Sequence, residues 1–432
     1  MKKILCISYF FPPCNLTASQ RAFSWAKYLK DNGYYPIIVS RRWDHKINKL
    51  SDISKATPAE LQHETKEGYE AYYLPYQANL KDRIYTKYDE SKWVAVRKTL
   101  TFFELLFQNF SNALIQYRNI YQFCRKYLKE NPDVKLLIVT GNPFNLFKFA
   151  YLLHREFNLK WIADYRDAWT TSEINLIGKN ALFRFINWLD NRFERKWIST
   201  ASLVTASSQP IADHVSELVK VPGKALYNGF VKEDFKSFQD SAPFEKFTIT
   251  YVGTLYHGQQ IEMFCEALKK LIDQAKSEQI RFFLPGLAFY PEQKLRVEKI
   301  MKGYEDYFEC TERKEREKIL EIEKRSHLLL HVAWKGYKGI IASKIYEYIA
   351  SGSRILVAPS DDGAIKEIVE SSGCGKVTDT VGETFDFLLE MWNKYQNGEK
   401  LKNDLNRPEV EQFSRQLQVK QLANFLDEIQ KD

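Results

Sequence analysis

Short apolar runs alternate with helical patterns along the first half of the chain. Residues 3–9 form a continuous apolar run that stops close to Pro12, which predicts a strand buried on both faces. A helical pattern over 19–31 stops at Gly33, and a second buried strand is predicted over 36–40. This order predicts the start of a parallel α/β domain. The pattern continues with strands predicted at 136–140, 161–164, 203–206 and 225–227, and helices at about 92–130, 145–157 and 180–200.

The alternation starts again near residue 247. A strand is predicted over 247–253 and stops at a glycine, and a helix over about 260–276 follows it. The later predicted elements are strands at 281–284, 328–332 and 355–358, helices at 313–325 and 343–352, and an amphipathic helix from about 408. The pattern therefore predicts an α/β fold with two Rossmann-like domains. Their predicted ranges are 1–240, with a loop-rich insertion at about 41–91 that holds one strand near 71–74, then 241–407, followed by a C-terminal helix at 408–432.

The composition is typical of a soluble globular protein. Of 432 residues, 44% are hydrophobic and 27% are charged, and no apolar run approaches the roughly 20 residues of a membrane span. The N-terminal apolar run lacks the small-residue cleavage site of a signal peptide, so we favour a buried strand. The six cysteines form no C-x-x-C pair and the histidines no H-x-x-x-H pattern. We therefore expect a reducing cytosol, no disulfide framework and no metal site.

The positive charge is concentrated in the first half of the chain. Residues 1–235 carry 34 Lys and Arg against 23 Asp and Glu, a formal charge of +11, whereas the remainder carries −3. Since no nucleic-acid motif is present, an anionic membrane surface or an anionic lipid-linked substrate explains this charge better than nucleic acid does. The helical stretches 92–117 and 181–198 mix basic and aromatic residues. We favour core packing for most of these apolar residues, with docking at a membrane interface as the alternative.

The segment 334–347 predicts an anion site in the second half. This segment contains, in order, a strand end, a loop with glycines and lysines, and a helix that begins near Ser343. N–H groups at a helix start favour an anionic ligand, and Glu347, three residues after Lys344, can accept hydrogen bonds from sugar hydroxyls. An ordinary surface pair between these two side chains is the alternative. The candidates to face a diphosphate are Lys335, Lys338 and Lys344.

The turn after the first strand of the second half is another candidate for phosphate binding. Gly253 and Thr254 come at the end of this strand, and Gly258 precedes the next helix. Glycines allow the backbone to approach a phosphate closely. The alternative is that these glycines only form a tight turn.

The turn after the first strand of the chain leads into a helix N-terminus, which favours an anion. It lacks the G-x-G-x-x-G pattern, so NAD binding is not predicted. An ordinary capped turn is the alternative. The candidate ligand-binding residues of this turn are Asn15, Thr17, Ser19 and Arg21.

A charged segment follows the strand at 161–164. Carboxylates accept hydroxyl protons, Arg pairs with phosphate and Trp stacks on sugar rings, so this segment suits a polyhydroxylated substrate at the carboxyl end of a parallel strand. An internal salt bridge that fixes the loop is the alternative. The residues concerned are Asp164, Arg166, Asp167 and Trp169.

Several of these segments resemble one known family. Residues 343–352 read Ser-Lys-Ile-Tyr-Glu-Tyr-Ile-Ala-Ser-Gly, and 163–169 read Ala-Asp-Tyr-Arg-Asp-Ala-Trp. Both are similar to segments of family-4 glycosyltransferases that build bacterial surface polysaccharides, and the likeness is weakest across 41–130. The resemblance implies the GT-B fold, with two Rossmann-like domains facing a central cleft and the C-terminal helix crossing back to the N-terminal domain. The other similar segments are the Phe-Pro-Pro start, Arg21, the Gly253-Thr254 turn and the stretch 364–375.

The resemblance implies transfer of a sugar from a nucleotide-sugar donor, such as a UDP- or GDP-sugar, with retention and without a metal or other cofactor. The donor would lie mainly on the C-terminal half, with Glu347 on the ribose hydroxyls and with Lys344 and the Gly253-Thr254 turn facing the diphosphate. The N-terminal half would hold a glycan or a polyprenyl-diphosphate-linked acceptor. Asp164 is the best-placed carboxylate for catalysis. Lys344 is the second catalytic candidate. The implied location is the cytoplasm, at the inner face of the cell membrane.

The chain also departs from the family pattern. Gly339 stands where many relatives carry a second glutamate, eight residues before Glu347, and Asn145 stands where a histidine often follows the strand near 140. Two other functions therefore stay open on the same fold: a nucleotide-sugar 2-epimerase, and a catalytically impaired binding or scaffold protein. The remaining departures are Asn15-Leu-Thr-Ala18 in place of a glycine pair, and His257 and Gln259 where a basic residue is often found.

Overall fold

The chain folds into two compact units, each built around its own sheet. The computed structural model describes residues 1–89, 92–172 and 181–431. Unit 1 comprises Met1–Tyr227 and Val419–Asp432, and unit 2 comprises Asn228–Gln418. Both are α/β layers on a mainly parallel sheet, so the two predicted Rossmann-like domains are confirmed.

Within the described ranges, the sheet of unit 1 has eight strands. They are β1 (Lys2–Ser8), β2 (Tyr34–Arg41), β3 (Gln62–Lys66), β4 (Tyr69–Leu74), β5 (Leu136–Gly141), β6 (Lys160–Tyr165), β7 (Leu203–Ala206) and β8 (Gly223–Ala225). Their order is β3-β4-β2-β1-β5-β6-β7-β8, and only β3 pairs antiparallel with its neighbour. The apolar run of β1 is continuous because both faces are covered: Leu5 and Ile7 lie in one core cluster, Ile4 and Cys6 in another.

Helices pack on both faces of this sheet. The helices of Met1–Tyr227 are α1 (Ser19–Tyr28), α2 (Leu80–Tyr88), α3 (Val94–Phe107), α4 (Arg118–Glu130), α5 (Asn145–Phe157), α6 (Ala181–Ile198) and α7 (Gln209–Val219). The single helix predicted over 92–130 is wrong. It is divided into α3 and α4, because the chain turns after Phe107 and the side chain of Ser111 accepts a hydrogen bond from the N–H of Ala113.

The insertion at 41–91 is more regular than predicted. Its β3–β4 hairpin turns at Gly68, which has a φ of +104° that L side chains rarely adopt, and α2 begins at Asn79, whose side chain accepts from the Asp82 N–H. The strand predicted at 225–227 lies two residues earlier, at β8. A Cβ on Gly223 would lie 2.5 Å from the carbonyl oxygen of Ala212, so a glycine permits this close contact of strand and helix.

The described part of unit 2 has a six-stranded parallel sheet. Its strands are β9 (Phe247–Thr250), β10 (Ile280–Pro285), β11 (Phe308–Thr311), β12 (Leu328–His331), β13 (Arg354–Val357) and β14 (Gly375–Val377), in the order β11-β10-β9-β12-β13-β14. The helices of this unit are α8 (Ile261–Ala275), α9 (Pro291–Ile300), α10 (Arg316–Arg325), α11 (Lys344–Ser351), α12 (Ala364–Ser372), α13 (Val381–Gln396) and α14 (Pro408–Glu411). The strands at β11 and β14 and the helices α9, α12 and α13 were not predicted.

The chain passes from unit 1 to unit 2 between Tyr227 and Asn228, upstream of the predicted boundary at 240. The segment after this point is held by the end of unit 2. The Phe230 N–H donates to the Phe413 carbonyl at 3.0 Å, and the Arg415 N–H donates to the Phe230 carbonyl at 2.9 Å. Residues 228–240 therefore belong to unit 2.

The helix α15 (Arg415–Lys431) returns to unit 1. Its apolar side chains, including Leu422 and Leu426, are buried in the same cluster as Ile4. Asp427 accepts a hydrogen bond from the Tyr34 hydroxyl at 2.7 Å. The predicted return of the C-terminal helix is confirmed, although residues 408–432 form two helices, α14 and α15, in place of one.

Candidate functional site

The order of strands in unit 2 reverses beside β9. The chain places β10 and β11 on one side of β9 and β12 to β14 on the other, so a topological switch point lies between β9 and β12. Open parallel sheets bind ligands at the carboxyl ends of the strands beside such a point. Gly253 and Thr254 follow β9, and Lys335 and Lys338 follow β12. The fold therefore places both predicted donor loops at the edge where a ligand is expected.

Helix α11 holds the loop after β9 through both backbone groups of Val252. Lys344 Nζ donates to the Val252 carbonyl at 3.0 Å, and the Val252 N–H donates to the Tyr348 hydroxyl at 3.0 Å. The Lys344 ammonium also lies 4.0 Å from the centroid of the Tyr251 ring. Burial lowers the pKa of Lys344 to about 7, so this side chain is partly neutral near neutral pH.

Gly253 brings the backbone next to this lysine. Its φ of +98° lies in the region that favours glycine, and a Cβ built there would lie 3.8 Å from Lys344 Nζ. The backbone at Gly253 and the Lys344 amine therefore lie side by side, which is an arrangement that suits a phosphate.

The two loops at the switch point are tied to each other by Gln259. Its side-chain amide donates to the Val332 carbonyl at 2.6 Å and accepts from the Tyr256 N–H at 3.0 Å. A Cβ on Gly258 would lie 2.6 Å from the ring of Trp334, so this glycine permits ring and backbone to touch. Gln259, which replaces a basic residue of the resembling family, thus fixes the shape of the loop.

Glu347 pairs with Arg316, and not with Lys344. Its Oε1 accepts from Arg316 Nη2 at 3.0 Å, and the same nitrogen lies 2.8 Å from Asp234 Oδ2. The alternative of a simple surface pair between Lys344 and Glu347 is therefore wrong. Glu347 Oε2 enters no hydrogen bond with a described residue, so it stays open to a further donor.

A buried carboxyl group lies behind these residues. Glu323 is fully buried on α10, and neither of its oxygens has a hydrogen-bond partner among the described residues. Burial, together with the charge of Glu347, raises the pKa of Glu323 well above its usual range. When Glu323 is ionised, its charge favours the charged form of Lys344. Sequence reasoning missed Glu323 and Arg316, because a helix rich in charges normally exposes them.

The remaining donor candidates lie in exposed positions. Ser343 occupies the N-cap position of α11 but its side chain makes no capping hydrogen bond, and Gly352 follows the helix with a φ of +74°. Lys335 and Lys338 are exposed and enter none of the ion pairs among the residues described here. Their contact with a diphosphate stays a prediction.

In unit 1 the strand order reverses between β1 and β5. Asn15 and Thr17 follow β1, and Asn145 follows β5, so these predicted residues also lie at a switch point. Asn15 donates to the Ile47 carbonyl at 3.1 Å and accepts from the Ile47 N–H at 2.9 Å. Its amide therefore anchors a neighbouring loop, while Thr17 is exposed.

Two other predicted residues of this region are buried and bonded. Ser19 donates to the Leu16 carbonyl at 2.8 Å. Asn145 donates to Gln108 Oε1 at 2.6 Å. Both side chains thus fix the local backbone of unit 1, and neither offers an exposed group to a ligand in this conformation.

Arg21 and Asp164 form a buried ion pair. Arg21 Nη2 and Nε lie 2.6 and 2.8 Å from the two carboxylate oxygens, and Thr205 donates to Asp164 Oδ1 at 2.7 Å. Asp164 has no exposed surface. The catalytic assignment of Asp164 stays a prediction, and this geometry weighs against it because the carboxylate has no free access to a ligand. For Asp164 the alternative interpretation, an internal salt bridge, therefore describes the structure, and its partner is Arg21.

Arg166 and Asp167 are the accessible charges at the end of β6. Arg166 is half-buried, lies 5.5 Å from the ring centroid of Phe10 and approaches Asp167 Oδ2 at 3.4 Å. Ser207, which follows β7, donates to the Arg166 carbonyl at 2.9 Å. Ser207 could not be predicted from the sequence, because a lone serine after a strand is common. Trp169 stacks on Phe144 with 5.1 Å between the ring centroids, so its ring is a packing element here.

Neither a metal cluster nor a membrane span is visible in the described ranges. No group of three or more His, Cys, Asp or Glu residues there is placed to hold a metal ion. None of the helices described is long and apolar enough to cross a bilayer.

Solved structures with the same architecture include a glycosyltransferase and a sucrose-phosphate synthase. A glycosyltransferase from Rickettsia africae has a TM-score of 0.61 at 13% identity, covering 100% of this chain and 99% of the other. Sucrose-phosphate synthase from Thermosynechococcus elongatus has a TM-score of 0.60 at 13% identity and covers 100% of both chains. Anabaena HepE, solved in complex with UDP and glucose, has a TM-score of 0.56 at 13% identity and covers 99% of this chain and 100% of the other.

These likenesses establish the fold. No protein-family model matches the sequence, and no curated protein matches it. Because the identities are low, the superpositions show the architecture alone. The chain has the GT-B fold, as the resemblance implied.

Proposed function

We propose that this protein is a glycosyltransferase that moves a sugar from a nucleotide-sugar donor to a glycan or a polyprenyl-diphosphate-linked acceptor. The proposal includes a retaining, metal-independent reaction related to that of family 4, in the assembly of capsule, O-antigen or exopolysaccharide. Its main support is the switch point of unit 2, where Lys344 and Gly253 meet beside the carboxyl end of β9. The GT-B fold is the second support. UDP is the first nucleotide to test, because HepE was solved with it.

The donor diphosphate would lie against the Gly253-Thr254 loop and Lys344. In the transfer, the bond between the anomeric carbon and a diphosphate oxygen breaks, and the nucleoside diphosphate leaves with the bonding electrons. The acceptor oxygen bonds to the anomeric carbon, and its proton passes to the departing diphosphate. A lysine and backbone N–H groups stabilise the charge that develops on the leaving group. Glu347, oriented by Arg316, would accept from the ribose hydroxyls through its open Oε2.

The acceptor would bind unit 1, at the carboxyl edge of its sheet. Arg166 and Thr17 offer exposed or half-buried polar groups there, and the basic charge of residues 1–235 suits an anionic, lipid-linked acceptor. Such an acceptor would place the protein at the inner face of the cell membrane.

A catalytically impaired binding protein is the second candidate. The observation that favours it is the ion pair of Asp164 with Arg21, which removes the best-placed carboxylate from access, together with Gly339 at the place of a family glutamate. Under this alternative the nucleotide site survives and transfer does not occur.

Product analysis separates the candidates. The protein is incubated with UDP- and GDP-sugars, with and without an acceptor panel and a chelator, and the products are identified by mass spectrometry and NMR. A new glycosidic bond with the donor's anomeric configuration, formed in chelator, supports the proposal. A changed sugar still attached to nucleotide supports a 2-epimerase, and nucleotide binding without any product supports the impaired protein.

A further inference from the structure

Helix α3 is apolar and yet contributes no buried residue to unit 1. Its 14 residues include five aliphatic or aromatic side chains in the last six positions, but none of them is buried. Phe103 and Phe107 are exposed, and Phe110, just after the helix, has 63% of its surface exposed. A helix that served only the core would bury such a face.

The N-terminal half of α6 also exposes apolar side chains. Leu182, Phe183, Phe185 and Trp188 are all exposed, the last with 52% of its surface accessible. The C-terminal half of α6 is anchored in the core through Trp197 and Ile198, so the exposed rings stand on a fixed helix.

The two helices adjoin each other. Asn109, directly after α3, donates to Asp190 Oδ1 on α6 at 2.5 Å, and the rings of Phe110 and Phe193 meet edge to face at 5.1 Å. The C-terminal end of α3 therefore packs against α6 in unit 1. We use the name α3–α6 surface for the exposed apolar side chains of this pair of helices, which are Phe103, Phe107, Phe110, Leu182, Phe185 and Trp188.

The exposed charges of α6 have one sign. The acids of α6, Asp190 and Glu194, are buried, whereas every charged residue that this helix exposes is basic. On α3, Glu104 is paired with Lys81. Arg192 lies 5.0 Å from the ring centroid of Trp188, which keeps a cation beside an exposed ring. The basic residues concerned are Arg97 and Lys98 on α3 and Arg184, Arg192, Arg195 and Lys196 on α6.

We propose that the α3–α6 surface docks unit 1 on an anionic membrane. Exposed aromatic rings accompanied by Lys and Arg, on helices whose described acids are buried or paired, match the interface of a bilayer with acidic headgroups. The rings enter the headgroup layer while the long basic side chains reach the phosphates. The inference rests on the proposed function in one respect, because a lipid-linked acceptor would have to be bound at a membrane. Its test does not require sugar transfer.

Vesicle binding tests the surface directly. The full chain is sedimented with vesicles of phosphatidylcholine alone or with about 30% phosphatidylglycerol, at about 0.05 and 0.5 M salt. One variant combines Phe185→Ser with Trp188→Ser, and another combines Arg184→Glu, Arg192→Glu and Lys196→Glu. The matched controls lie on exposed positions of unit 2: Leu295→Ser, and the triple variant Lys270→Glu, Lys299→Glu, Lys302→Glu.

The proposal predicts binding to the anionic vesicles that weakens in high salt. Both surface variants should bind at least tenfold more weakly, while the controls bind as the wild type does and all proteins keep the same unfolding temperature. Equal binding by surface and control variants, or no vesicle binding by the wild type, overturns the proposal. A wild-type dimer in solution that the surface variants dissociate, without vesicle binding, assigns the surface to a second copy. Vesicle binding without nucleotide binding leaves this inference standing and removes the proposed function.

Discussion

Lys344 Nζ lies 3.0 Å from the carbonyl oxygen of Val252, 92 residues earlier in the chain, and donates a hydrogen bond to it. This contact joins the first turn of α11 to the loop after β9 at the switch point of unit 2. The ammonium is held at the place where a phosphate of the donor is expected, and burial keeps its pKa near 7. The predictions on donor binding below follow from this relationship.

Binding of UDP should be accompanied by uptake of a proton at pH 8. In the free protein Lys344, with a pKa of about 7, is mostly neutral at this pH, and a bound diphosphate raises its pKa and so charges it. Calorimetric titrations in phosphate and in Tris should therefore give different binding heats. Lys344→Arg, which stays charged, should abolish the difference. Equal heats in both buffers for the wild type would show that Lys344 does not meet the diphosphate.

Glu347→Ala should weaken UDP binding by about 10- to 100-fold, because it removes charged hydrogen bonds to the ribose. The comparison ligand is 2′,3′-dideoxy-UDP, which lacks the hydroxyls. The wild type should lose affinity for this analogue to the same extent, and the variant should bind both nucleotides equally. If the variant still prefers UDP over the analogue as strongly as the wild type does, the ribose role of Glu347 is wrong.

Gly258→Ala should destabilise unit 2 by about 1 to 3 kcal/mol, since the new methyl would lie 2.6 Å from the ring of Trp334. The loop must shift, so UDP affinity should fall as well. Gly382→Ala in α13 is the control, because there the nearest atom to the new Cβ lies 4.0 Å away. Thermal unfolding and UDP titration measure both effects. Similar unfolding temperatures for the two variants would contradict the close contact.

Asp164→Ala should destabilise unit 1 by about 3 to 5 kcal/mol, because it leaves the Arg21 guanidinium buried without its carboxylate. Asp167→Ala, at an exposed position, should cost less than about 0.5 kcal/mol. The double variant Arg21→Met, Asp164→Leu should recover most of the loss. Urea unfolding gives the comparison, and an Asp164→Ala protein as stable as the wild type would favour the catalytic assignment.

Unit 1 should lose stability as the pH rises from about 4.5 to 7. Burial raises the pKa of Glu194 to about 7, above that of an unfolded Glu, so the folded state holds this proton more tightly. In this interval the unfolded chain has already released the proton, and folding becomes less favourable. Glu194→Gln should flatten the dependence of the urea midpoint on pH. An unchanged slope in the variant would assign the dependence to other groups.

The sequence predicted much of the fold because its strands are buried on both faces. The run 3–9 became β1 and the run 328–332 became β12, since a continuous apolar segment between turn residues has few alternatives in an α/β layer. The elements it missed, such as β3 with its polar surface, carry no such pattern. Their formation depends on pairing with β4, which is a tertiary contact.

The candidate site, too, was predicted only in part. Residues at strand ends were found because they follow recognisable strands, as Gly253 and Lys335 do. The ion-pair partners of these side chains were not predictable. The sequence offered a pair of Lys344 with Glu347 as one interpretation, whereas the structure pairs Glu347 with Arg316 from another helix. Likewise the charges around Asp164 were interpreted as a ligand site, because its partner Arg21 lies 143 positions earlier in the chain.

Hydrogen–deuterium exchange with a bound nucleotide tests the central claim most directly. The ligand is whichever of UDP, GDP, ADP and CDP raises the unfolding temperature most, in the presence of a chelator. The account predicts slower exchange of backbone N–H groups in 252–259 and 334–347 of the wild type, and no such protection in Lys344→Met at the same nucleotide concentration. Protection confined to other segments, or no nucleotide that stabilises the protein, would contradict a donor site at the switch point of unit 2.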